Sequence, residues 1–147
     1  MIRKGQKEMQ ILVIDGQSGG IGCRIIAELK PSLTTECKIV CVGTNVLATN
    51  AMLKAGADMG ATGENAIIWN ATRADMILGP IGIILANAML GEISPAMAVA
   101  VSGTDADKIL IPSSKCTTII AGTESCTMEF YIKKAVGLAI HKINESK

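Results

Sequence analysis

The chain has 147 residues, with fourteen Lys and Arg against thirteen Asp and Glu, and a net charge of +1. That length suits one domain able to bury roughly two-thirds of the surface its unfolded form exposes. With one Trp, one Tyr and one Phe and no basic field, the chain offers nucleic acid neither a stacking platform nor electrostatic attraction, so no nucleic-acid partner is expected.

Met1 to Gln10 is polar and mixed in charge, without the apolar segment of a secretory leader. Residues 1–9 therefore read as a flexible N-terminus and 10–144 as a single domain, with the cytoplasm as its expected location. Ile11-Leu-Val-Ile14 is a short apolar run of the kind that forms a fully buried parallel strand. A helix follows, with Ile21, Ile25, Ile26 and Leu29 on one face and a stop at Pro31. Lys38 to Val42 is a second strand. Thr44 or Asn45 then caps a helix carrying Leu47, Met52 and Leu53 and ending at Gly56.

The stretch 57–74 has two readings. Ile67-Ile68-Trp69 has strand character, whereas Ile67, Ile68, Ala71 and Ala74 follow helical spacing, with Thr62 as cap and Glu64 in the first turn. The helix is favoured, because it leaves Asp58 to Ala61 as a short strand and keeps strand and helix alternating. Asp75 to Gly79 is a buried strand. It opens the most apolar run, Met76 to Leu90, whose 15 residues fall short of the ~20 that span a membrane. That run is expected to be protein interior, with no membrane partner. Ser94-Pro95 starts a helix that stops near Gly103. Lys108 to Pro112 and Thr118 to Gly122 are read as further strands. Met128, Ile132, Ala135, Val136, Ala139, Ile140 and Ile143 form the stripe of a last helix, off which His141 falls as an exposed residue. The alternation predicts an α/β fold in three layers, a mostly parallel sheet with helices on both faces.

Ligands of such folds sit outside the carboxyl ends of the strands. Asp15-Gly16-Gln17-Ser18-Gly19-Gly20-Ile21-Gly22 stands there, between the first strand and the first helix. A phosphate needs close approach to the backbone, and glycines permit it. Loop N–H groups and the positive end of the helix dipole then supply the attraction. The same glycines would also suit a mere tight turn, but four within seven residues exceed what a turn requires. These eight residues, with Thr44 and Asn45 after the second strand, are the candidate cofactor-binding set. Glu64, Asn65, Gly79, Pro80 and Gly82, which also follow strands, are candidate substrate-binding residues. Thr44-Asn45 equally reads as a helix cap, and Glu64 as a solvated first-turn acid. Asn87 and Glu92 read as pocket groups or oligomer contacts, and Lys115 as a loop lysine or a phosphate partner. Five cysteines without a Cys-x-x-Cys pair, and one histidine, make a zinc site improbable. No catalytic residue is assigned.

The spacing Gly16-x-x-x-Gly20-x-Gly22 resembles the cofactor loop of short-chain dehydrogenases, which implies NAD, NADP or another nucleotide as cofactor. The Tyr-x-x-x-Lys of that family is missing: Tyr131 has Ala135 four residues on. No acid follows the second strand, where Gly43-Thr44-Asn45 is neutral. The loop also resembles a Walker A stretch, but Cys23 and Arg24 stand where that motif has Lys and Ser or Thr. Asp-Gly-Gln-Ser-Gly-Gly-Ile-Gly (15–22), Gly-Thr-Asn (43–45), Ala-Gly-Ala-Asp-Met-Gly-Ala-Thr-Gly-Glu-Asn-Ala (55–66), Gly-Pro-Ile-Gly-Ile (79–83) and Gly-Glu-Ile-Ser-Pro (91–95) together resemble a family of small bacterial proteins of unknown function. That resemblance implies a Rossmann-like domain. Three functions follow as expectations: binding a small phosphate-bearing ligand, assembly as a homo-oligomer without a small ligand, and catalysis on a phosphorylated substrate with Glu64 or Asp15 as acid–base group. A homodimer is expected with any of them.

Overall fold

A computed structural model of the chain describes residues 7–113, 117–123 and 126–146. Five parallel strands form its sheet: β1 (Met9–Asp15), β2 (Cys37–Gly43), β3 (Met59–Thr62), β4 (Met76–Pro80) and β5 (Asp107–Ile111). Their spatial order is β3-β2-β1-β4-β5, with Ile11 of β1 opposite both Ile39 of β2 and Met76 of β4. The helices are α1 (Gly20–Ser32), α2 (Val46–Ala55), α3 (Glu64–Ala71), α4 (Pro95–Ser102) and α5 (Met128–Glu145).

Successive side chains of a strand point to opposite faces, so β1 serves two cores. Ile11 and Val13 meet Ile25, Ile26 and Leu29 of α1, Met52 of α2 and Ile132, Val136 and Ala139 of α5. Leu12 and Ile14 meet Ile67 of α3 and Met97, Ala98 and Val101 of α4. This is the three-layer Rossmann-like architecture expected from the alternation. Both helix-start readings at 45 and 94 hold. The Asn45 side chain accepts from the Ala48 N–H at 2.9 Å, and Ser94 accepts from Met97 N–H at 3.2 Å with Pro95 as first helical residue.

Several expectations are corrected. Thr118 to Gly122 is not a strand: β5 ends at Ile111, and Ile119 is 90% exposed. A β-branched run becomes a strand only where a neighbour and a core receive it, and among the described residues neither stands there. Pro31 lies inside the last turn of α1, which runs on to Ser32; a proline there removes one late ladder bond without ending the helix. The favoured helix of 57–74 forms, but its cap is Gly63, and the Thr62 hydroxyl bonds Thr49 instead at 2.7 Å. Helix α2 buries Ala48, Thr49 and Met52, whereas Leu47 and Leu53 face solvent. The apolar run from Met76 is interior through β4, but Leu90 at its end is 98% exposed. His141 is exposed as read and faces Glu145 at 3.0 Å. No helix among the described residues is long and apolar enough to cross a membrane. Residues 1–6 of the expected flexible terminus, and Lys115, lie outside the described residues.

Candidate functional site

The chain runs from β1 to β2 to β3 on one side, then returns to place β4 on the other flank of β1. The crevice at such a reversal, outside the carboxyl ends of the strands, is where open α/β sheets take their ligands. Here it is a cleft of about 640 Å³, within the range of small-molecule sites. Asp15 to Ser18, Gly20 and Ile21 form one wall, and Pro80 at the end of β4 with Gly82 just beyond it form the other. Met89, Leu90, Ser113 and Met128 complete it, and Arg24 stands one turn into α1.

The glycines of the loop serve different purposes, as the space at each absent Cβ shows. A Cβ on Gly16 would lie 2.5 Å from Glu92 Oε2 and 2.6 Å from Met89 Sδ. Gly19, at φ +76°, would put one 2.9 Å from the Ala48 Cα, and Gly22 would put one 2.5 Å from Met52 Sδ. These three are needed by the fold. Gly20 is not: its nearest neighbour would be Ser18 Oγ at 3.8 Å, an ordinary contact, and its φ is not left-handed. The fold thus gives no reason for a glycine at the first residue of α1, on the cleft wall. The N–H groups of Ser18 and Gly20 donate to no protein acceptor among the described residues, while the Gly19 N–H closes a turn onto the Gly16 carbonyl at 2.8 Å.

Two carboxylates hold the loop from below. Asp15, buried at the end of β1, accepts from Gly16 N–H and Gly22 N–H, each at 2.7 Å. Burial pushes its carboxyl above the ordinary value of 3.8; the Gly22, Gly16 and Ile21 N–H groups pull it back only in part, and the charge of Glu92 pushes it further up. In the range from 3.8 up to that raised value, the folded chain keeps a proton the unfolded chain has lost, so this group's contribution to stability falls as pH rises. Urea midpoints of wild type and Asp15→Asn across pH 4 to 7 should differ in slope, with wild type losing the more on the way up; parallel curves would show that burial leaves Asp15 unperturbed. Glu92 arrives from the far side of the sheet. Its Oε2 accepts from Gln17 N–H at 2.6 Å and Thr44 Oγ1 at 2.9 Å, and its Oε1 from Asn45 Nδ2 at 3.2 Å. The segment that delivers it is strained: Asn87, Met89 and Leu90 have φ of 66°, 58° and 58°, a region that disfavours side chains and clusters at functional sites.

Of the residues expected from sequence, Asp15, Gly16, Gln17, Ser18, Gly20, Ile21, Pro80 and Gly82 line this cleft. Gly19 and Gly22 support it from behind. Thr44 and Asn45 do not line it; they hold Glu92. Gly79 is a buried residue of β4, where an added Cβ would run into the Ile14 carbonyl oxygen. Glu64 accepts from Ser94 Oγ at 2.7 Å and lies away from the cleft lining. Asn65 belongs to a second cleft of about 570 Å³ beside β3, where the Arg73 guanidinium stacks 3.6 Å from the Trp69 ring centre. Sequence reasoning missed Arg24, whose position four residues after Gly20 puts it one helical turn above the loop, and left Glu92 among several options. A residue 75 positions from its partner carries no local signal.

Fold and crevice together define a Rossmann-like α/β domain with a glycine-rich turn at its strand-order reversal. Residues 10–144 match the family described as Domain of unknown function (DUF3842), and the chain belongs to that family. No match is found among curated proteins. The solved structure of the dodecameric FMN-dependent UbiX-like decarboxylase from Escherichia coli O157:H7 is similar over 88% of this chain and 75% of its own, at 16% identity and a TM-score of 0.44.

Proposed function

We propose that this domain binds a nucleotide or dinucleotide, with NAD and NADP among the candidates, and that a ligand phosphate rests on the start of α1. The observation that carries this reading is Gly20: a glycine the fold does not need, with its N–H directed by the helix start and Arg24 one turn above it in the same cleft. A helix N-terminus with open N–H groups favours an anion, and an arginine adds paired donors. Ser18 supplies a hydroxyl on the same wall. The apolar surface of Met89, Leu90 and Met128 suits the body of such a ligand.

Thermal unfolding against NAD, NADP, ATP, ADP, AMP, GTP, FAD and S-adenosylmethionine tests the reading. A ligand at 100 times its dissociation constant adds about 2.7 kcal/mol, which for this chain raises Tm by roughly 5–10 °C. No shift with any of them would remove nucleotide binding. We also infer that the domain assembles with a second copy of itself, since the adjacent Val46 and Leu47 at the start of α2 are 63% and 66% exposed, and contiguous apolar surface of this kind marks interfaces. Sedimentation at micromolar concentration should show a dimer, and a monomer there would dismiss this assembly.

A further inference from the structure

The loop has two clusters of donors, and the protein fills one of them with its own anion. Gln17 N–H, the Thr44 hydroxyl and the Asn45 amide converge on one Glu92 carboxylate, at 2.6 to 3.2 Å. A backbone N–H, a hydroxyl and an amide at the carboxyl ends of two parallel strands are the donor set that holds a phosphate group elsewhere. Gln17 adopts φ 48° beside it, and the 87–91 segment adopts left-handed backbone at four residues, Gly91 included, to bring the carboxylate there. Strain of this kind persists only where the surroundings enforce it. The glycines give the same division independently: Gly16 makes room for Glu92, Gly19 for α2 and Gly22 for Met52, and only Gly20 faces open space.

We infer that Glu92 is the specificity-determining residue of this site, limiting it to ligands that bring one phosphate group to the loop. The inference rests on the phosphate reading above and narrows it. A single phosphate at Gly20 has the Ser18 and Gly20 N–H groups and Arg24 as partners. A second phosphate reaching toward Gln17 would meet the Glu92 carboxylate on the donors it needs, with the buried Asp15 carboxyl next to it. Like charges placed together in a partly desolvated site are what reject a wrong ligand. The site therefore selects a nucleoside monophosphate or comparable phosphate monoester over its di- and triphosphate counterparts.

The test titrates the mono-, di- and triphosphates of adenosine and guanosine into wild type, Glu92→Gln and Glu92→Ser, each shown to be folded by circular dichroism, with binding read by calorimetry. Glu92→Gln removes the charge and keeps an acceptor for Gln17 and Thr44; Glu92→Ser clears the donors. Wild type should bind the monophosphate at least about tenfold more tightly than the triphosphate, and in both variants that ratio should shrink to about threefold or invert. A preference for the triphosphate in wild type, or an unchanged ratio in the variants, overturns the role of Glu92 while leaving the site standing. If neither wild type nor variant binds any of the six, the phosphate reading itself falls and this inference with it. Should one variant fail to fold, the other carries the comparison.

Discussion

Gly20→Asp is expected to leave the protein folded and to weaken phosphate-ligand binding by at least about a hundredfold, roughly 3 kcal/mol. The two halves of this expectation have separate causes. For the fold, a Cβ at position 20 meets only Ser18 Oγ, at 3.8 Å, with no left-handed backbone to strain. An aspartate in the first turn of α1 is favoured by the helix dipole, by about 0.3–1 kcal/mol at an exposed position. Tm should therefore hold or rise slightly. For the ligand, the carboxylate occupies the volume a phosphate would take and repels it in a cleft that already contains Asp15 and, through Gln17, Glu92. Gly20→Ala adds bulk without charge, and should fall between the two. Calorimetry on the ligand found by thermal shift, with the unliganded Tm measured alongside, reads both halves. Unchanged affinity in a folded Gly20→Asp protein would move the ligand away from this loop.

Gly79→Ala is expected to be among the most damaging single changes in the chain, costing about 3 kcal/mol or more. The new Cβ would run into the Ile14 carbonyl oxygen and lie 3.1 Å from Ile83 Cδ1. The oxygen belongs to the neighbouring central strand, so relief requires β1 and β4 to part where they meet the crevice. A side chain could swing aside; a strand locked on both flanks cannot. A loss of that size lowers Tm by roughly 6–12 °C in a chain of this length. Gly137→Ala is the control. Position 137 lies within α5 with nothing within 4 Å of an added Cβ, so alanine should stabilise by about 0.5–1 kcal/mol through helix propensity. Equal effects at the two positions would mean that the β1–β4 approach is not as tight as the geometry requires.

These variants also show which parts of the site were legible in the sequence. The glycines announced a strand-to-helix turn, but composition alone treats Gly16, Gly19, Gly20 and Gly22 as equivalent. Their separation into three that the fold needs and one it does not depends on Glu92, Ala48 and Met52, which reach the loop from other elements. Gly79 was read as a pocket residue for the same reason. A glycine after an apolar run looks alike whether its missing side chain leaves room for a ligand or for a neighbouring strand.

What the sequence determined by itself is local and periodic. The apolar run at Ile11–Ile14, a cap at Thr44 or Asn45, the cap at Ser94, the Gly56 stop and the Ile132–Ile143 stripe each follow from the chemistry of residues within one or two turns, and the structure bears them out with Asn45 as the cap. Alternation of these elements was enough to imply a parallel sheet between helices. Tertiary structure alone decided the rest. It left Thr118–Gly122 out of the sheet, because a strand needs a partner that its own residues cannot provide. It turned Leu47 and Leu90 to solvent, because which apolar residues find a core depends on the helix or strand that arrives opposite them. It also brought Glu92 onto Gln17, Thr44 and Asn45, joining three separate loops at one sheet edge. The charge balance of the crevice comes from that convergence, and long-range approach of this kind leaves no trace in spacing or periodicity.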